Sequence, residues 1–275
     1  MPSQEFQVSL DCFLWDLVDE GVDTVLDRIK GETGVTGIVV PVHGPALRQL
    51  RPHAGVSPRS LRVEGGAHFQ PDLTRYAGTR LRPPVAKWLH KSNPIRKVIE
   101  GCREKGLQIG GHITLGAHAE LAERFEHAII RDVFGDGLTW LCPANPDVQE
   151  YVRALLNDLA ESYAFDHIRL SSIGFPVVTS NRSHAIGGHE QTGFGLGPLE
   201  AWLRGLCFCA SCRQLSQREG VDIEAVARLV SQTLERTFQT GQCATVTLDQ
   251  FVQDHASIEA FLTWRSAQMQ AWVRS

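Results

Sequence analysis

PIRKVIEGCREKGLQIGGHITL, Pro94 to Leu115, holds one full step of the pattern that decides the fold: a helix that runs from Pro94 to Lys105 and stops at Gly106, followed directly by a strand from Leu107 to Leu115. A proline opens the helix and a glycine closes it, the usual punctuation of a helical segment. The same alternation extends outward. Gln7 to Phe13 reads as a buried strand, and Val22 to Gly31 follows with Val22, Val25, Leu26 and Ile29 at helical spacing. Thr36 to Val42 is a short β-branched run between Gly34 and Gly44. Downstream, Asp147 to Ser162 places Val148, Val152, Leu155, Leu156 and Leu159 on one helical face, and Phe165 to Ile173 makes a fourth strand. Strand and helix in turn predict an α/β fold with a parallel sheet of the (β/α) TIM-barrel type. The barrel is partial: about four clear strands precede a helical C-terminal part with helices expected over Pro198 to Gln217, Ile223 to Thr237 and Leu248 to Val273. The short Ala244 to Thr247 run is too brief to count as a fifth.

Residues 1–275 are read as one barrel-like domain with a zinc-binding insertion at about 174–217. Two long stretches, Pro45 to Arg82 and Gly174 to Gly197, leave the carboxyl ends of the second and fourth strands, where α/β proteins build their sites. A net charge of −4 provides no electrostatic footprint for nucleic acid. No apolar run approaches the roughly 18 residues that a bilayer span needs, so no membrane partner is expected. The opening Met1-Pro2-Ser3-Gln4-Glu5 lacks a basic region followed by an apolar one, which makes the cytoplasm the expected compartment.

Seven cysteines are present, and three fall within six residues, in Cys207-Phe208-Cys209-Ala210-Ser211-Cys212. Closely spaced thiolates on a turn converge readily on one ion, and a fully thiolate shell leaves no position open for substrate, so a structural zinc is expected. Cys142, in Cys142-Pro143-Ala144-Asn145-Pro146, is the preferred fourth ligand, with His184 and His189 as competitors. Cys12, Cys102 and Cys243 remain as core thiols.

This order of motifs, Cys142 to Pro146, a helix, a strand and then the cysteine triplet, resembles glycoside hydrolase family 42, the clan-A β-galactosidase-type barrels. It is still more similar to uncharacterised glycosidase-like barrel proteins that carry such a triplet after a His-rich stretch. The resemblance covers Cys142 to about Asp222 and implies that Cys142, Cys207, Cys209 and Cys212 hold a structural zinc. It also implies a barrel mouth facing carbohydrate. The sequence departs from the family where the chemistry lies: its fourth strand ends Arg169-Leu170-Ser171-Ser172-Ile173, without the Asn-Glu pair that supplies the acid/base carboxyl.

Polar residues at the predicted strand ends are the candidates for ligand binding: Asp11, His43, His112, Arg169 and Ser171. In the long loop before the triplet, Glu190 is the candidate for a displaced acid/base, with His189 beside it as a binding residue. Three functions follow: a glycoside hydrolase-like protein acting on carbohydrate, a sugar-binding or scaffold barrel without catalysis, or a metal-dependent hydrolase with a second ion on Asp11, His43 and His112. His189-Glu190 is not followed by the spacing of a helical zinc-protease motif, and the nearby glycines lack the context of a phosphate loop. Cys12 beside Asp11 is a faint candidate for a nucleophile. A half-barrel would leave sheet edges unpaired, so a homodimer is the expected assembly.

Overall fold

Eleven residues of helix and a glycine set the first piece in place. In the computed structural model, which describes residues 7–52, 59–91, 93–178 and 195–274, the segment from Pro94 to Glu104 is a helix and Gly106 follows at φ +63. This left-handed conformation suits glycine, and its amide donates to Arg103 O at 3.1 Å to close the helix. The chain then enters a strand, Gln108–Thr114.

In chain order the elements are β1 (Ser9–Asp11), α1 (Leu14–Glu20), α2 (Val22–Glu32), β2 (Gly37–Gly44), β3 (Leu47–Leu50), β4 (Ser60–Val63), β5 (Gly66–Ala67), α3 (Pro94–Glu104), β6 (Gln108–Thr114), α4 (Ala119–Arg124), β7 (Ile129–Arg131), β8 (Gly137–Leu141), α5 (Pro146–Ser162), β9 (His167–Ser171), α6 (Pro198–Arg204), α7 (Ala210–Arg218), α8 (Ile223–Thr240), α9 (Leu248–Asp254) and α10 (Ala256–Arg274). Two compact units emerge. The first comprises residues up to Leu115 together with Val152–Ser171, and the second Gly116–Tyr151 with Ser172–Ser275.

In the first unit β1, β2, β6 and β9 lie side by side in that order, and all three pairings are parallel. These are the four strands expected from the sequence. The central β2 is buried along nearly its whole length, as a strand covered on both faces must be, whereas β1 is exposed throughout. Ile38, Val40, Val42, Ile109 and Ile113 turn one face of the sheet into core, together with Leu14, Leu26, Ile95 and Val98 from the helices. No closed barrel forms among the described residues: the sheet is open, with β1 and β9 as its outer parallel strands.

The stretch from Pro45 to Arg82, expected to be irregular, contains ordered pieces. β3 and β4 pair as an antiparallel hairpin, and β5 adds antiparallel to the end of β2. Further on, Asp158 on α5 is fully buried and accepts hydrogen bonds from Asp72 N (2.9 Å), Tyr76 Oη (3.3 Å) and Ser162 Oγ (3.0 Å), which ties residues 72–76 to that helix. Burial pushes its carboxyl pKa up, and these three donors oppose the rise.

The second unit is mainly helical around the β7–β8 hairpin. Its core joins Leu203, Leu206, Ile223, Val230, Phe251 and Phe261 to the cysteines Cys142, Cys207, Cys209 and Cys212. Helix α8 begins where expected, with the Asp222 carboxylate accepting from Ala225 N at 2.9 Å. The final helical region is two helices, the first opened by a capping box between Thr247 and Gln250. The helix expected from Pro198 to Gln217 is instead broken in two between Arg204 and Ala210. Among the described residues no helix is long and apolar enough to cross a membrane.

Candidate functional site

The break between α6 and α7 is what makes the cysteine triplet work as a unit. In a continuous helix residues two apart point about 200° away from each other, so Cys207 and Cys209 could not share an ion. Here Cys207 to Cys209 form a non-helical knuckle, Cys209 becomes the N-cap of α7, and Cys212 follows one turn inside that helix. The Phe208 amide donates to Arg131 O at 2.8 Å, which anchors the knuckle to β7.

Cys142 arrives from the end of β8 on a turn with its own internal logic. Its amide donates to Ala128 O at 2.8 Å, and Asn145 Nδ2 donates to His127 O at 2.9 Å. Asn145 Oδ1 accepts from Asp147 N at 2.9 Å, so this residue caps α5, and Pro146 fills the first helical position, where no amide donor is needed. Cys142-Pro-Ala-Asn-Pro146 thus caps α5 and brings one sulfur to the group.

The four sulfurs converge. Cys142 Sγ lies 3.6 Å from Cys212 Sγ, 3.8 Å from Cys207 Sγ and 3.6 Å from Cys209 Sγ, and all four lie within 4.8 Å of one another. A tetrahedral thiolate shell with metal–sulfur distances of about 2.3 Å has sulfurs about 3.8 Å apart, whereas a disulfide needs about 2.05 Å. The spacing is that of ligands around an ion. All four residues are buried. Such a group could hold a metal ion, and with four thiolates it leaves no coordination position for a substrate. Thiols this close share their protons, and neighbouring sulfurs lower the pKa of the Cys209 thiol.

The remaining cysteines stand apart. Cys102 is buried and Cys12 half-buried, and burial raises their pKa values to about 12 and about 11. Asp11 and Asp16 add to the rise at Cys12, which makes it a poor nucleophile at neutral pH.

Within the first unit, five of the residues predicted to bind ligand form one polar group. Arg169 on β9 pairs with Asp11 of β1, and its Nη2 approaches His112 Nδ1 at 3.5 Å. His112 Nε2 lies 2.8 Å from Ser171 Oγ, Ser171 Oγ lies 2.9 Å from Thr114 Oγ1, and the Thr114 carbonyl is 3.2 Å from His43 Nδ1. Asp11 is two-thirds and Arg169 nearly half exposed, whereas His43 is sealed. With the Nδ1 atom of His112 facing a cationic donor, its proton belongs on Nε2, directed at Ser171; the serine is held as an acceptor and is not activated for attack. Thr114 escaped the sequence reading, although its place two residues beyond His112, on the same face of a strand, was a usable signal. Glu190, His189 and His184 lie outside the described residues.

No family model matches the chain, and no curated protein matches it. Solved structures do show similarity. A hypothetical protein from Ruminiclostridium thermocellum ATCC 27405 is 17% identical with a TM-score of 0.41, over 61% of this chain and 77% of that one. Alpha-L-fucosidase isoenzyme 2 from Paenibacillus thiaminolyticus is 16% identical with a TM-score of 0.44, over 82% of this chain and 28% of that one. A noncanonic maltogenic alpha-amylase from Thermotoga neapolitana is 14% identical with a TM-score of 0.38, over 60% of this chain and 38% of that one. The chain therefore spans well under half the length of these two enzymes.

The polar group has a titratable centre. Burial lowers the His112 pKa below its ordinary value of 6.5, the Arg169 charge lowers it further, and Asp11 opposes both. Because the unfolded chain takes up a proton before the folded one, this histidine stabilises the fold above about pH 6.5 and withdraws that stability as pH falls. The ring resonances of His112 are expected to titrate with a midpoint below 6.5 by NMR, and the midpoint is expected to rise in Arg169→Ala. An unchanged midpoint in the variant would detach the guanidinium from the histidine.

Proposed function

We propose that this chain is a glycoside hydrolase-like protein that binds carbohydrate on the polar face of its parallel sheet, with a structural zinc on Cys142, Cys207, Cys209 and Cys212. The observation that carries the sugar reading is the continuous run from Asp11 through Arg169, His112 and Ser171 to Thr114 on β1, β9 and β6 of the same parallel sheet. It offers a carboxylate, a guanidinium, an imidazole and two hydroxyls in one line, and sugar hydroxyls both donate and accept. The zinc reading rests on the donor set: four buried sulfurs at tetrahedral spacing, with no oxygen or nitrogen ligand among them.

A metal-dependent hydrolase is the weaker reading. Arg169 sits between Asp11 and His112, and a fixed positive charge there repels a second cation. Glycoside hydrolysis needs two carboxyl groups flanking the bond. In the polar group Asp11 is tied to Arg169, so turnover would depend on Glu190. Among the described residues β1 and β9 each pair with a strand on one side only, which favours assembly of the sheet with a second copy, in line with a homodimer.

The test is a titration with simple pyranosides, followed by NMR shifts of the His112 ring. Binding is expected in wild type and about tenfold weaker binding in Arg169→Ala, the loss of one charge-assisted hydrogen bond. Aryl-glycoside turnover is measured in parallel in wild type and Glu190→Gln. Absence of any sugar-dependent shift at millimolar concentration would refute the binding site, and turnover equal in both proteins would remove Glu190 from the chemistry.

A further inference from the structure

Helix α10 places an arginine on its buried side, among Phe261 and Trp264. Arg265 is 8% exposed, its Nε has no hydrogen-bond partner, and among the described residues no ion pair reaches it. Its neighbours are rings: the Phe175 centre lies 4.2 Å from the guanidinium carbon and the Phe261 centre 5.8 Å. Ring faces attract a cation but do not neutralise it. A buried charge without a counter-charge is strongly unfavourable, which makes this guanidinium half of a pair whose other half comes from outside the chain.

Arg265 and Phe175 line one cavity of about 820 Å³ inside the second unit, and Trp202, Val252, Leu262 and Met269 supply its apolar wall. Volume and lining are those of a small-molecule site, mostly apolar with a few polar groups that orient the ligand. The segment that carries Phe175 is braced: Trp140 Nε1 donates to Gly174 O at 2.9 Å. Arg265 is the one cation in the lining, and the one carboxylate, Asp249, is exposed in the first turn of α9 and makes no ion pair with it. A lone guanidinium matches a carboxylate, which it meets with two parallel N–H···O bonds, better than a phosphate, whose larger charge calls for further cations.

We propose that this cavity binds a small monocarboxylic acid with an aromatic or aliphatic body: Arg265 pairs with the carboxylate, and Phe175, Trp202, Leu262 and Met269 pack against the rest. The site is separate from the polar group on the sheet and from the four cysteines, and shares no residue with either. Recognition depends on charge as well as shape. A neutral molecule of the same outline leaves the guanidinium unpaired, so the acid binds in preference to its amide.

Met1 and Met269 are the only methionines of the chain, so methyl NMR on methionine-labelled protein reports on the cavity through one internal signal. The protein is titrated with phenylbutyrate, with its neutral amide phenylbutyramide and with inorganic phosphate. Phenylbutyrate is expected to shift the Met269 signal saturably below millimolar concentration, and the amide to bind about tenfold more weakly, for want of one charge-assisted pair. In Arg265→Leu the acid is expected to lose about that same tenfold and the amide to be unchanged, which closes the gap between them. Equal binding of acid and amide to wild type would overturn the proposal whether or not the variant folds. A Met269 signal unmoved by millimolar phenylbutyrate would also overturn it, as would phosphate binding as tightly as the acid or an Arg265→Leu protein that still prefers the acid.

Discussion

Cys212→Ser is expected to lose the zinc proposed for the cluster and to melt more than 10 °C below wild type, with the loss concentrated in the helical second unit. Structural zinc sites contribute roughly 10–16 kcal/mol of binding free energy in small domains, which rivals or exceeds the whole stability of a typical domain at about 5–15 kcal/mol. The four sulfurs lie inside the core formed by Leu203, Leu206, Ile223 and Phe261, so an empty cluster is a fault at the centre of packing and not at the surface. Cys102→Ala is the matched control. Cys102 is equally buried but belongs to the other unit and to no group of ligands, so it should cost only the roughly 1–2 kcal/mol of a small cavity and leave metal content unchanged. Circular dichroism melts together with elemental analysis decide the matter: a Cys212→Ser protein that keeps its ion and melts within 2 °C of wild type, roughly the resolution of such comparisons, would contradict the assignment.

Gly66→Ala should be the most damaging single-methyl change in the first unit. Gly66 stands at φ +121, where side chains are strained, and an added Cβ would fall 2.1 Å from Pro84 O and 2.8 Å from Pro84 C. Both obstacles are backbone. They cannot swing aside, because Ala67 N donates to that same carbonyl at 2.6 Å while β5 pairs with β2 through His43 and Gly44. Strained backbone alone costs about 1–3 kcal/mol, and the forced shift adds to it, so a loss above about 3 kcal/mol is expected in urea unfolding. Gly44→Ala, whose added Cβ would meet Thr114 Cβ at an ordinary 3.7 Å, should change stability by less than about 1 kcal/mol. Similar losses in the two variants would show that β5 is free to move, and with it the strand end that carries His43.

The strands were readable because parallel strands buried on both faces must be apolar and β-branched over several residues, as in Gly37–Gly44 with Ile38, Val39, Val40 and Val42. Punctuation did the rest: Gly106 after α3 and Asp222 before α8 each do the local job their residue types suggest. The β3–β4 hairpin escaped because its strands are four residues long and alternate with Arg48, Gln49 and Arg62, a surface pattern that resembles loop composition. The helix expected through Pro198 to Gln217 breaks from Gly205 to Cys209, a break without which Cys207 and Cys209 would point to opposite sides of one helix. That conflict was visible in the spacing of Cys207 and Cys209. The polar residues at the strand ends are legible as a group that could converge, but which side chains meet depends on register: β6 and β9 pair His112 with Arg169 and Thr114 with Ser171.

X-ray absorption at the zinc edge of the purified protein tests the central claim most directly. One zinc per chain is predicted, with a first shell of four sulfurs at about 2.3 Å and no lighter ligand. A chain that carries no zinc, or a first shell containing nitrogen or oxygen in place of any of those sulfurs, would contradict it.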